Sequence, residues 1–496
     1  MKRRITVIFL LCVLTIGVTA VYLLPQKRTE DDQTVHTLRV ALWDYGTVSY
    51  DRRIIEQFTQ EYPNIQVEVV SCSPEYYDSS LESMLDSGER LDVIFVNQLP
   101  QLAKLIARDI ALPLDDYVER DAIDLDVYPD TDVLRDPDTG ALMGLPYRQD
   151  KFVLYYNKDL FEQTGCSIPE NGMTWEKFAD LAQTLTERLQ KTQANRWGAT
   201  LILEPKHILY YMSQHAFDWS QDDFQNLAAG LQLWLDMQDS GGVADIVGNQ
   251  MRLDSQRMFE TGRYAMFIQG SWYMNFLHMD AQSGQLDFSW GVIERPVWSE
   301  EQPNENDAWI TPLIIHRDTT EPEAAWTFLK FVCGKQGAEI LTDEWILPAY
   351  QDADIRAQLR RNMQAEGIDA DIFLEGLSDP RPLPTQQELA LSEQIYELYR
   401  RVLLGLDTVS EGIEKMEQTR QNWKMQSSVD LYKKSFDSPW SCSSLFRILK
   451  SASKDADERR IFHEEGLETS GSGCSDCFNV GYSGKRCGTI WSGGPQ

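Results

Sequence analysis

Leu38-Arg39-Val40-Ala41-Leu42-Trp43 and, further on, Asp92-Val93-Ile94-Phe95-Val96 decide how this chain folds. The first segment alternates with the period of a strand. The second is a continuous apolar run of the kind that a strand buried on both faces shows. Between them, residues 52–62 place Ile54, Ile55, Phe58 and Tyr62 on one helical face and stop at Pro63, and Ile65-Gln66-Val67-Glu68-Val69 alternates again. Strand, helix and strand in that order predict an α/β fold built on a parallel sheet with crossover helices. Ligands of such sheets sit beyond the carboxyl ends of the strands. That rule points to Trp43, Asp44 and Tyr45 after the first strand, and to Asn97 and Gln98 after the apolar run.

A second round of elements follows. Phe152-Val153-Leu154-Tyr155-Tyr156 reads as a strand, and Thr174 can cap a helix beginning at Trp175. Thr320-Glu321-Pro322-Glu323 fits a capping box ahead of Trp326, Leu329 and Phe331. The run from Phe259 to Trp272 carries a short apolar strand that ends in Gly270-Ser271 and then presents a tryptophan. A large flat ring where a strand gives way to a loop is a platform for a planar or sugar-like ligand; the competing reading is that Trp272 is core.

With 496 residues, 42% of them hydrophobic, the chain is long enough for two or more domains with full cores. Its formal charge of 46 − 77 = −31 argues against nucleic acid and anionic substrates as main partners. Met1-Lys2-Arg3-Arg4 precedes an uninterrupted apolar stretch from Ile5 to Leu24. Residues 1–24 therefore read as an export signal or as a retained N-terminal membrane anchor through residues 5–24, and the protein as extracytoplasmic, at the cell surface or in the periplasm. Cys12 follows a bulky leucine, unlike the small residue that a lipoprotein cleavage site needs. Residues 25–35 read as a linker. Only Cys72, Cys166 and Cys333 fall in the body of the chain, so no disulfide framework is implied. Residues 424–496 carry 10 Lys+Arg against 9 Asp+Glu, while residues 1–423 carry 36 against 68. This Ser- and Gly-rich tail, with Cys442, Cys474, Cys477 and Cys487, reads as an atypical, disordered appendage or an altered reading frame.

The segment order resembles the family 1 extracellular solute-binding proteins, the carbohydrate-binding group that includes maltose-binding protein. The resemblance is carried by Phe58 to Val67, Ser87-Gly88 with Leu91 to Phe95, and Gly144-Leu145-Pro146 leading to Tyr155 to Leu160. It continues through Thr174 to Phe178, Gly262 to Met266 with Gly270-Ser271-Trp272, Glu323 to Leu329, and the closing helix at Thr408 to Glu411. Together these cover about residues 36 to 423. The resemblance implies a two-lobed, type II periplasmic-binding-protein-like fold, whose hinge crossings close the lobes on a ligand in the cleft. The expected division gives 36–148 plus 295–318 to lobe 1 and 149–294 plus 319–423 to lobe 2. It also implies a monomeric carrier of a carbohydrate, delivering to the membrane permease of an ABC importer. By position in the motifs, Asp44 and Asp150 fall where the family places polar groups for sugar hydroxyls, and Trp272 matches its stacking tryptophan.

Sugar chemistry agrees with that set. Hydroxyls favour charge-assisted acceptors such as Asp44 and Asp150. Apolar C–H faces favour rings, which Trp272 with Trp43, Tyr45, Tyr147 or Trp309 would supply. The competing readings are that Asp44 caps a turn, that Asp150 pairs with Arg148 or Lys151, that Trp43, Tyr45 and Tyr147 are packing, and that Asn97 and Gln98 satisfy the end of their strand. No nucleophile elbow, phosphate-cradling glycine loop or His-Glu-x-x-His motif occurs. His207 and His215 lack acidic ligands nearby, and Cys474-x-x-Cys477 with Cys487 falls short of a four-ligand zinc pattern. No metal, no cofactor and no enzymatic activity are expected. Two rivals keep the fold: a polyamine, peptide or other polar solute as ligand, or an anchored ligand sensor.

Overall fold

The computed structural model describes residues 34–193, 195–201, 224–243, 255–299, 301, 309–375 and 383–437. The export segment with Cys12, most of the linker, His207, His215 and the four cysteines of the tail lie outside the described residues. Among the described residues, no helix is long and apolar enough to cross a membrane.

Nine strands among the described residues form two sheets. The first contains β1 (His36–Trp43), β2 (Ile65–Cys72), β3 (Val93–Phe95), β4 (Leu145–Asp150) and β9 (Trp309–Ile315) in the order β2-β1-β3-β9-β4. β1 runs parallel to β2 and β3, as the strand–helix–strand reading expects. β9 runs antiparallel to β3 and β4, so the sheet is mixed rather than parallel throughout. The second sheet contains β5 (Phe152–Asn157), β6 (Trp197–Leu201), β7 (Tyr264–Gly270) and β8 (Trp290–Glu294) in the order β6-β7-β5-β8.

Each sheet organises its own core. β5 shows why its sequence has no polar face: Phe152, Leu154 and Tyr156 bury into one cluster, Val153 and Tyr155 into another on the opposite side. Period-two alternation thus sends successive apolar side chains into separate cores. The helix Trp175–Gln190 covers one of them with Trp175, Phe178, Ala182, Leu185 and Leu189, spaced at three and four residues. Its expected cap is present: Thr174 Oγ1 accepts from the Lys177 amide at 3.3 Å.

The helix Pro322–Cys333 departs from expectation twice. Its N-cap is Glu321, with no side-chain cap, because Pro322 fixes the first helical residue and leaves Thr320 outside the turn. The helix also packs against β1, β4 and β9, burying Ala325, Trp326, Phe328 and Leu329 in the first core. The helix Pro322–Cys333 therefore packs on the first sheet, since this apolar face covers what β9 and β4 leave open. β4 likewise carries Gln149 and Asp150 into the first sheet, beyond the expected boundary at 148.

The chain passes between the sheets through Lys151 alone at the β4–β5 junction. It returns between β8 and β9, and passes again near residues 344–350, where Ile346 is buried in the first core but Trp345 and Leu347 in the second sheet's. The final helix, Val409–Asp437, runs through residue 424 without a break. The division of the chain into two units falls at Gln426–Ser427, close to the compositional change, and residues 424–437 are helical.

Candidate functional site

Where β1 ends, Asp44 takes a left-handed backbone, φ 59°, which aspartate tolerates better than most residues. Its carbonyl accepts from the amides of Thr47 (2.8 Å) and Val48 (3.1 Å), so the turn reading of Asp44 is realised by its main chain. Trp43, half-buried, packs edge-on against Tyr77 at 5.1 Å and lies 5.7 Å from the Arg148 guanidinium. Tyr45 is half-buried at the rim. Where β3 ends, the Asn97 carbonyl accepts from Trp309 Nε1 at 2.8 Å, and Gln98 Nε2 donates to Asp78 at 2.8 Å.

Tyr147 is placed differently from expectation. β4 slips register between Pro146 and Arg148, a bulge that sends the ring inward. The ring meets Phe95 edge-on at 5.2 Å, the hydroxyl donates to Asp51 at 2.8 Å, and only 2% of the residue is exposed. In this conformation Tyr147 is core. Trp309 is 8% exposed and packs beside Phe152 at 6.0 Å and Trp272 at 6.4 Å, so it too is mainly packing.

Trp272 stands where the cores meet. It is half-buried and touches the hydrophobic clusters of both sheets. Gly270 permits this placement, since a Cβ there would fall 2.0 Å from the indole ring. Phe152 supports it edge-on at 5.5 Å. The residue before it, Ser271, anchors the strand end: its hydroxyl donates to Asp150 at 2.7 Å and accepts from the Lys151 amide at 3.2 Å, while its amide donates to the Lys151 carbonyl at 2.8 Å.

Asp150 is fully buried, and the Arg148 Nε lies 4.0 Å from its second oxygen. The pairing expected as a competing reading is thus built, and the carboxylate faces protein in this conformation. Burial pushes its pKa up, opposed by Arg148, by Ser271 and by the Trp272 amide. Arg148 completes the junction: it donates to the Tyr50 hydroxyl at 2.9 Å, its guanidinium lies 5.8 Å from the Tyr50 ring, and its side chain is 8% exposed. Burial pushes the neighbouring Asp51 up to about 6, against the opposing pull of Arg148 and the Tyr147 hydroxyl. Lys151 Nζ donates to the Glu375 carbonyl at 2.7 Å, and burial pushes its pKa down.

The structure therefore links Trp272, Trp309, Asn97 and Asp150 at one junction, with Trp43 attached through Arg148. Asp44, Tyr45 and Gln98 line the ends of their strands. Tyr50, Asp51, Phe152 and Ser271 were not singled out as site residues from sequence, and Arg148 was named only as a pairing partner for Asp150. For Arg148 a signal existed, because residues two apart on a strand share a face and Arg148 thereby meets Asp150. An open depression of ≈ 820 Å³ lies elsewhere, lined by residues 165–173 with Lys177, Leu181, Thr184 and Arg188; no residue of the junction lines it.

The family model of the bacterial extracellular solute-binding proteins matches residues 45–339, more than half of the chain. The chain belongs to this family. A protein of Brucella abortus (strain 2308) is 22% identical over 363 residues, covering 70% of this chain and 82% of its own length. Among solved structures, a Listeria monocytogenes ABC substrate-binding protein in complex with cycloalternan has a TM-score of 0.67 at 17% identity, covering 79% of this chain and 99% of that one. A sugar transporter of Rhizobium etli in an open conformation has a TM-score of 0.62 at 21% identity, covering 78% and 99%. A solute-binding protein of Thermotoga lettingae bound with α-D-tagatose has a TM-score of 0.62 at 20% identity, covering 79% and 100%. At these identities the likeness is one of fold: this solute-binding protein has the two-lobed architecture of periplasmic binding proteins, as its sequence motifs imply.

Proposed function

We propose that this solute-binding protein captures a carbohydrate, an oligosaccharide in particular, between its lobes and delivers it to an ABC importer in the membrane. The observation that carries the reading is Trp272: a half-buried indole at the junction of both lobes, backed by Gly270 and Phe152. The face of such a ring offers a flat apolar surface to the C–H face of a sugar. Trp43, Asp44, Tyr45, Asn97 and Gln98 supply the polar and aromatic groups of the facing lobe. Asp150 and Arg148 take a different part, holding the junction on which the ring stands. The sugars named with the structural neighbours, cycloalternan and tagatose, support the ligand class. The role requires no bond-making step. Its setting is extracytoplasmic, with residues 5–24 as export signal or anchor.

Titration with a panel of mono- and oligosaccharides, followed by tryptophan fluorescence and melting temperature, tests the reading. Saturable change with one sugar class and no turnover is the expected result. Silence toward sugars with a response to polyamines would transfer the site to cations.

A further inference from the structure

We propose that Glu344 is a positioning residue for the solute site, clamping the turn after β1 with its side chain and the helix after Trp272 with its main chain. The inference rests on the interlobe placement of the site and not on which solute occupies it.

Glu344 lies where the chain passes from the first core toward the second. Its Oε2 accepts from the Ser49 hydroxyl at 2.6 Å, and its Oε1 is ion-paired with Arg53. Ser49 precedes the helix Tyr50–Glu61 and closes the short loop that starts at Asp44. On the other side, the Glu344 carbonyl accepts from Asn275 Nδ2 at 2.7 Å. Asn275 is fully buried in the helix Tyr273–Ser283, and its main-chain N–H donates to the Trp272 carbonyl at 3.3 Å. One residue is thus bonded to both rims of the site.

The carboxylate and the carbonyl of Glu344 leave its Cα in different directions, its own backbone being φ −96°, ψ 15°, and the next residue fixes the chain on the second lobe's side. Trp345 adopts a left-handed backbone, φ 62°, which a bulky side chain rarely occupies unless its surroundings hold it there. The surroundings do so: its ring is buried in the second sheet's core and lies 5.2 Å from the His278 ring, on the same helix as Asn275. Trp345 thereby pins the carbonyl end of Glu344 to the second lobe, while the carboxylate reaches the first. A displacement of either rim is therefore felt at the other through bonds that share one backbone unit.

Hydrogen–deuterium exchange on the full chain tests the clamp without any ligand. Ser49→Ala removes one bond at the protein surface of the first lobe. We expect exchange across Tyr273–Ser283, in the second lobe, to accelerate on the order of fivefold, the lower range for coupling between sites. Ser49→Thr, which keeps the hydroxyl, should restore wild-type exchange there. Asn275→Ala should loosen residues 44–50 in the reciprocal direction; if that buried change prevents folding, the Ser49 pair alone decides. Acceleration confined to residues 44–61 in Ser49→Ala would overturn the proposal, as would acceleration at Tyr273–Ser283 that Ser49→Thr does not reverse.

Discussion

Ser271 Oγ donates a 2.7 Å hydrogen bond to Asp150 Oδ1 across 121 residues of sequence, and both partners are fully buried. This bond ties the end of β4, in the first sheet, to the end of β7, in the second. Replacing Ser271 by alanine removes a donor from a buried carboxylate and an acceptor from the Lys151 amide. Leaving such groups unsatisfied costs about 1–3 kcal/mol. Urea denaturation should show that loss; a change too small to resolve would mean that the bond contributes nothing at the crossing.

Trp272→Ala should weaken solute binding by about 2 kcal/mol or more, the scale of a hot-spot ring. Because the ring also touches the cores of both sheets, some loss of stability should accompany it. Gly270→Ala is the sharper control, since the added Cβ would meet the indole at 2.0 Å and push it aside while leaving it in the chain. Calorimetric titration with the sugar identified from the panel should give reduced affinity for both variants. Full affinity in Gly270→Ala would show that the ring's present position is not the one used in binding.

Stability should depend on pH through Asp51. Burial raises its folded pKa from 3.8 to about 6, so between those values the folded state keeps a proton that the unfolded chain has released. Wild-type stability therefore falls, relative to Asp51→Asn, as pH rises from about 4 to about 6, and is level outside that window. A gap of this size corresponds to about 3 kcal/mol at most. Asparagine keeps the oxygen that accepts from Tyr147. Parallel stability curves for the two proteins across the window would refute the assignment.

Arg148→Met removes the positive charge that faces Asp150 and the donor to Tyr50. Truncating one partner of a buried ion pair typically costs about 3–5 kcal/mol, because the other charge is left uncompensated. Arg148→Lys should recover only part of this, since an ammonium cannot reproduce the planar fork that reaches Tyr50 while facing Asp150. Chemical denaturation of the two variants provides the comparison, and equal stability of Arg148→Lys and wild type would contradict it.

Local pattern revealed what local physics decides. The alternation of β1 and β2, the two-sided burial of β3, the strand at β5 and the cap at Thr174 could all be read from neighbouring residues. The Gly270-Ser271-Trp272 run pointed to the ring at the junction. What escaped depends on distant parts of the chain. Tyr147 could be placed only after the bulge in β4 turned it from cleft to core, and Trp309 only after its indole was seen to bond to Asn97. Ser271 and Asp150 have no mark of partnership in sequence. The helix Pro322–Cys333 shows an apolar face plainly enough, but nothing in its own residues says which of two sheets it will cover. That the helix Val409–Asp437 extends past residue 424 was hidden by the change of composition there.

The single residue between β4 and β5 has a consequence for what this chain could tolerate. Only one residue, Lys151, intervenes between β4 in the first sheet and β5 in the second. An insertion there that shifted β5 by one residue against β7 and β8 would turn every side chain of β5 over, exchanging the two cores that Phe152 and Val153 serve. The junction acts as a ruler: with one amino acid at position 151, the step from the first sheet to the second has no slack in which to absorb a shift of β5.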